Sequence, residues 1–426
     1  MNGRDRCIRY RRRHPVLAAI GMTVTYLYAL YFTVLGITLD QMSFAKQYMG
    51  IIFAAISVLS IILYFYHTKF EVTRVELFSY FFIAYVILNI CITSAFHGEM
   101  SKVAADTFLE FGVKAVPAIF CALLLSKLCV VYDIISCVDY FVILATIGLG
   151  KVLVLGIAMG INRAGMLDQF GMDYQGISYF AAYMFLLNVY MIFVGHSYIL
   201  SHVRNSQGFQ VLRVLMAAIQ FFVSLYSGGR GGFLLILVTI ISIFAYMVIK
   251  EHNYKLFIGG ILAIAVIWLI CGKLISNSVL FGEGFERIFE FLGDEGINWE
   301  GTSGRKEIYD LALERISASP VFGYGITGGS YVGVSSCHNF FLEILVEGGV
   351  AYLCFWIALF VLFLKKLRKK IATERAYLLF AVIFLGDFIN LMFSTIYLRA
   401  TAMWFAIFYI LNEKKVFCIE KEGRNA

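Results

Sequence analysis

The chain alternates between long apolar runs and short polar breaks. Apolar segments fall at about 16–36, 47–66, 77–96, 112–131, 137–160, 177–200, 211–228, 231–249 and 256–272, then at 339–364, 376–394 and 395–412. A helix rises about 1.5 Å per residue, so about 20 apolar residues cross a hydrocarbon core. The pattern therefore predicts twelve membrane-spanning helices and an all-α polytopic membrane fold. The organisation that follows is 1–272 as nine spans with short loops, 273–338 as one long inserted loop, and 339–426 as three spans and a tail. A structureless loop of about 65 residues is uncommon, so the insert should carry structure and function.

Within that insert, Ile308, Leu311, Ala312 and Ile316 recur at helical spacing. Thr302 or Ser303 is a suitable N-cap, and Glu307 falls in the first turn. The helix stops near Pro320, and the Gly-rich run from Gly323 to Gly333 reads as loop. His338 ends the insert, and Asn339 is placed to cap the next span.

Composition removes the soluble classes. Of 426 residues, 61% are hydrophobic and 15% charged, where a soluble domain carries about 25% charged residues. The net charge of +7 then reports membrane anchoring and implies no nucleic-acid partner. Nine cysteines are scattered, most within apolar segments, with no spacing that suits a metal, so no metal or other cofactor is expected. The basic N-terminal arm, Arg4 to Arg13, precedes a long apolar run without a clear cleavage site and reads as leading into an uncleaved first span.

Charge also orients the spans. The N-terminal arginines, Lys69 and Arg74, Arg204, Lys250 and Lys255, the basic run 365–370, and Lys414 and Lys415 all fall on one side under twelve alternating spans. The positive-inside bias makes that side cytoplasmic, with both termini inside and the insert outside.

Cations on the outer side are depleted, so those present are informative: Arg163, Arg230, Arg287, Arg305, Arg315 and Arg399. Arg230 sits in the turn Ser227-Gly228-Gly229-Arg230-Gly231-Gly232, where a span begins. A guanidinium beside a helix N-terminus, with glycines such as Gly229 and Gly231 leaving N–H groups unshielded, suits a phosphate or pyrophosphate. A tight hairpin with an arginine at the headgroups is the plainer alternative. Arg305 again stands at a helix start, where it gives the helix little and an anion much. Arg315 reads as a solvated charge beside Glu314. Arg163 can pair with Asp168 or bind a ligand.

His338 lies at the membrane edge as a candidate proton acceptor. Glu343 and Glu347 follow it at i,i+4 spacing inside the span, where ionisable groups are costly and usually paired or functional. Asp387, inside the eleventh span, is expected to pair with Arg399. Lys151 is a charge inside the fifth span without an assigned partner. Trp299, Tyr309, Tyr324 and Tyr331 can stack on sugar rings or pack the loop.

The Ser227–Gly232 turn, the Ser303-Gly304-Arg305 helix start with Tyr309, the segment Ser319-Pro320-x-Phe322-Gly323-x-Gly325 and the His338-Asn339-x-x-Leu342-Glu343 step recur in one order. Together they resemble the bacterial O-antigen polymerase and O-antigen ligase superfamily, mainly over 210–365. The resemblance implies a GT-C-like integral-membrane glycosyltransferase of the inner membrane. Its partner would be an undecaprenyl-pyrophosphate-linked oligosaccharide at the outer leaflet, with a flippase and a chain-length regulator as further partners. It carries over Arg230, Arg305 and His338 as catalytic, and Arg163 by a looser motif. With Arg163, the residues Gly229, Gly231, Tyr309, Tyr324, Asn339 and Glu343 make up the expected substrate-binding set. The common form of the turn has serine directly before arginine. Here two glycines intervene, which puts Ser227 in doubt.

The expected activity is joining repeat units into a surface polysaccharide, an O-antigen or capsule, with ligase-type transfer to another acceptor as the alternative. A transporter also accommodates twelve spans, but it should show repeated halves and broken midplane helices. Here the polar signals gather on one face in the second half.

Overall fold

A computed structural model describes residues 72–127, 131–194, 206–249 and 305–412, with isolated positions elsewhere. The expected spans 16–36, 47–66 and 256–272, the N-terminal arginines, Arg287, Trp299 and the Thr302 or Ser303 cap lie outside the described residues, apart from a few positions within them.

The helices run α1 (Arg74–Phe96), α2 (Lys102–Glu110), a π turn (Phe111–Ala115), α3 (Val116–Lys127), α4 (Val131–Met159), α5 (Met166–Phe170), α6 (Tyr174–Phe193), α7 (Gln207–Ser227) and α8 (Arg230–Ile249). They continue as α9 (Arg305–Ala318), α10 (Phe340–Thr373), α11 (Leu378–Leu391) and α12 (Thr401–Asn412). A two-residue ladder pairs Leu292 with Ile297 and Gly293 with Gly296. Among the described residues, six helical stretches are long and apolar enough to cross a membrane. The protein is an all-α multi-pass membrane protein.

Sequence-readable caps set several boundaries. Thr73 and Glu76 form a reciprocal capping box on α1, Ser101 caps α2, Asp173 caps α6 and Ser206 caps α7, each accepting from an otherwise orphaned N–H. Two expectations shift. The basic run 365–370 is the last part of α10, because Lys and Arg are good helix formers. The final span begins at Thr401 instead of 395. The Asn390 carbonyl gathers the Ser394, Phe393 and Thr395 N–H groups and ends α11 in a turn.

The expected continuous helix at 339–364 is broken. Gly349 has φ 58° and ψ −160° within α10. The segment 320–325 fills the break: Val350 N donates to Pro320 O (2.9 Å), Ala351 N to Val321 O (3.2 Å), Tyr324 N to Val346 O (2.9 Å) and Gly325 N to Glu347 O (2.7 Å). Irregular backbone at membrane depth is tolerated when protein groups satisfy it. A Cβ on Gly349 would run into the Val321 backbone, so glycine is required there twice over, by conformation and by space.

Aromatic side chains weld α1, α10 and α12 together. Trp404 lies 4.8 Å from Phe82 and 5.2 Å from Trp356, ring centre to ring centre, and its indole N–H donates to Tyr397 O (2.9 Å). On the other flank α6 packs against α7 and α8. There Arg213 and Asp139 form a buried ion pair at 2.6 Å. At one end of the bundle, Asn412 donates to Glu76 (3.2 Å) and Ser126 (3.0 Å), tying α12 to α1 and α3. The opposite end carries α9, the loop to Phe340 and the α11–α12 turn.

Candidate functional site

At that loop-bearing end, α6, α8 and α11 enclose a cavity of about 450 Å³. Its polar lining comes from Asp173, Gln175, Tyr179, Tyr183, Asp387, Asn390, Ser394 and Thr395. A mixed aromatic and hydrogen-bonding wall of this size is typical of a small-ligand site.

Arg163, Arg230, Arg305 and His338 do not line this cavity themselves, but each lies on or beside an element that does. Arg230 is the first residue of α8, and Leu235 of the same helix lines the cavity. Gly228, with φ 69°, closes α7 in the left-handed conformation, and its N–H returns to Leu225 O. The neighbouring glycines have a packing reason. A Cβ on Gly229 would strike Ser178, one on Gly231 the Tyr179 ring, and one on Gly232 the Ser178 backbone. Glycine thus lets the start of α8 lie directly on α6. Ser227 donates back to Val223 O (2.9 Å) and Ser224 O (3.1 Å), so its hydroxyl is spent inside its own helix.

Arg305 opens α9 and donates to the Phe393 carbonyl at 2.8 Å, bridging the insert to the α11–α12 turn. Its charge reaches Tyr179 and His338. His338 takes a left-handed φ of 47°, and its imidazole meets the Ser394 backbone. Nδ1 is buried and makes no hydrogen bond among the described residues. Burial first, and the Arg305 charge second, hold the imidazole below the usual histidine range, against the opposing pull of the Ser394 carbonyl. Arg163 lies 5.8 Å over the Tyr174 ring. The Tyr174 hydroxyl accepts from Gln175 (3.1 Å), which lines the cavity.

Other candidates are placed elsewhere. The Asn339 side chain accepts from Phe341 N (3.0 Å) and Leu342 N (3.2 Å) as the cap of α10. The Tyr324 hydroxyl donates to Arg315 O (3.2 Å). Arg315, expected to be solvated, donates to Val332 O (3.2 Å) and so clips α9 to its own loop. Tyr331 stacks on His97 at 4.1 Å. Tyr309 is half-buried one helical turn beyond Arg305. Glu343 and Glu347 face inward, and both are buried.

The expected Asp387–Arg399 pair is absent. Arg399 pairs with Glu110 at 2.6 Å, while Asp387 accepts from Met403 N (2.7 Å) at the start of α12. A helix N-terminus, with its unpaired N–H groups, competes well for a carboxylate. Asp387 is thereby kept at the cavity wall. The sequence offered it only as an ion-pair partner, and its i,i+3 relation to Asn390 within an apolar span was the available signal that both face one cavity. Tyr179 and Tyr183 carried no signal, since they read as ordinary aromatic positions of a span.

The fold is that of a multi-pass membrane protein with a polar cavity at one end of its bundle and Arg305 and His338 nearby. Residues 215–357, which contain Arg230, Arg305 and His338, match the family model described as O-Antigen ligase. Over that third of the chain the protein is similar to the O-antigen ligase family. No curated protein sequence matches it.

Proposed function

We propose that the protein joins undecaprenyl-pyrophosphate-linked oligosaccharide repeat units into a surface polysaccharide, at the outer face of the cytoplasmic membrane. The observation that carries this reading is the closeness of Arg305 to His338, with the Arg305 guanidinium on the Phe393 carbonyl beside the wall of the polar cavity.

The chemistry follows from those groups. The bond from the donor sugar's C1 to the pyrophosphate oxygen breaks, and its electron pair leaves with the pyrophosphate. A hydroxyl oxygen of the acceptor sugar forms the new bond to C1, and its proton passes to the His338 imidazole and then to water. Arg305 and Arg230, the latter at the N-terminus of α8, offset the charge growing on the leaving group. Direct displacement inverts the anomeric centre. Asp387, Asn390 and Gln175 are suited to sugar hydroxyls, with Tyr179 and Tyr183 as apolar walls.

The description of the matched family favours a second reading, in which the same leaving group departs but a lipid or protein accepts the glycan. Deleting the gene and analysing the glycan separates the two. Single repeat units on the final acceptor identify a polymerase, and accumulated long lipid-linked polymer identifies a ligase. An unchanged glycan together with an unchanged lipid-linked pool would overturn both.

A further inference from the structure

The first peptide of α8 is gripped by a hydroxyl from a neighbouring helix. Ser178, early in α6, donates to the Gly229 carbonyl at 3.0 Å. That carbonyl belongs to the peptide unit that ends in the Arg230 N–H. It also accepts the Phe233 N–H at 3.2 Å, a hydrogen bond of the first turn of α8. A carbonyl oxygen has two lone pairs, so it serves both donors.

Ser178 is itself held by α7. Its Oγ lies 3.1 Å from Ser224 Oγ and 3.2 Å from Ser224 O. The Ser224 hydroxyl also reaches the Ser178 carbonyl at 3.3 Å. Both serines are buried, where a hydroxyl is costly unless its hydrogen bonds are used. Each hydroxyl has one proton. With Ser224 donating to Ser178, the Ser178 proton is free for its nearest carbonyl, that of Gly229. Three helices meet at this point with no room to spare. A Cβ on Gly229 would strike the Ser178 side chain, and one on Gly232 would strike both the Ser178 hydroxyl and its backbone carbonyl.

We propose that Ser178 is a positioning residue for Arg230: its hydroxyl fixes the peptide from which the arginine side chain springs, and with it the start of α8. The next residue of α6, Tyr179, lines the polar cavity. One turn of α6 therefore walls the cavity and also sets the root of the arginine beside it. The consequence for rate rests on the reading of Arg230 as a cation for the leaving group, whereas the placement itself can be measured without substrate.

The test uses purified full-length protein in lipid nanodiscs, with phenylglyoxal, an arginine reagent, as the probe. Modification of Arg230 is followed by mass spectrometry, with the exposed Arg375 as an internal control. Ser178→Ala keeps the Cβ contact but removes the donor, so the Arg230 rate should rise about fivefold, the worth of one net hydrogen bond. Ser224→Ala removes a buried hydroxyl from the same cluster and leaves the Ser178 donor in place, so the Arg230 rate should stay near wild type. If the Ser178→Ala protein does not insert, Ser178→Cys keeps a side chain of similar shape with only a weak donor and should show a rise of the same sign. In glycan transfer, Ser178→Ala should lower kcat about fivefold with KM unchanged. It should have no further effect on the residual rate of Arg230→Ala. An unchanged Arg230 modification rate in folded Ser178→Ala would overturn the proposal. So would equal rises in Ser178→Ala and Ser224→Ala, the mark of a general loosening, or a kcat loss that persists in the Arg230→Ala background. Failure of the leaving-group reading looks different: Arg230→Ala then transfers glycan at the wild-type rate, while Ser178→Ala still speeds modification of Arg230.

Discussion

Arg305 stands beside His338: its guanidinium donates to the Phe393 carbonyl at 2.8 Å and lies close enough for its charge to act on the imidazole. Burial, then the neighbouring guanidinium, keeps the imidazole neutral to lower pH than usual. The acid limb of the rate profile should therefore lie below the ordinary histidine value of about 6.5. Residual activity of Arg305→Gln should show that limb moved upward. The linkage has the same sign. Unfolded His338 takes up a proton more readily than folded His338, so its stabilising contribution is present above about pH 6.5 and is lost as pH falls through the folded value. Thermal unfolding of wild type against His338→Gln should diverge on acidification, with wild type losing more.

Removing a preorganised positive charge from the leaving group should cost rate without unfolding the protein. Arg305→Ala and Arg230→Ala are each expected to slow glycan transfer by about 10²–10³-fold. Arg305→Lys should recover part of this, because a lysine keeps the charge but not the planar fork. Transfer rates measured alongside detergent-solubilised yield separate this effect from failed insertion.

The glycines at the start of α8 make opposite predictions about rescue. An alanine at Gly231 would meet the Tyr179 side chain, whereas one at Gly232 would meet both the Ser178 hydroxyl and the Ser178 backbone carbonyl. Each should destabilise by about 1–3 kcal/mol. A smaller residue at 179 should restore stability to Gly231→Ala and leave Gly232→Ala unhelped, as read by thermal unfolding.

Arg213 and Asp139, 1% and 0% exposed, form an ion pair between α7 and α4. Arg213→Ala should cost about 3–5 kcal/mol by stranding a buried carboxylate, and replacing both residues by leucine should be far milder. A double-mutant cycle on unfolding midpoints measures the coupling.

Much of the bundle was legible because length and hydropathy leave little choice in a membrane. The run 211–228 became Gln207–Ser227, and 231–249 became Arg230–Ile249. The break at Gly349 was not legible, since its hydrogen bonds come from residues 320–325, and an apolar run does not reveal who will satisfy its backbone. The Arg399 pairing failed for a similar reason: Glu110 is remote in sequence, and the N-terminus of α12 claims Asp387. At the site, Arg230, Arg305 and His338 stood out as polar signals in an oily chain. The cavity near them is walled mainly by α6 and α11, whose side chains look like those of any other span.

The most direct test is extension of a purified undecaprenyl-pyrophosphate-linked repeat unit by the full-length protein in nanodiscs. The account predicts a ladder of lengthened lipid-linked glycan from wild type, one pyrophosphate-lipid released per linkage, and no ladder from folded Arg305→Ala or His338→Ala. Wild-type ladders from both variants would contradict it.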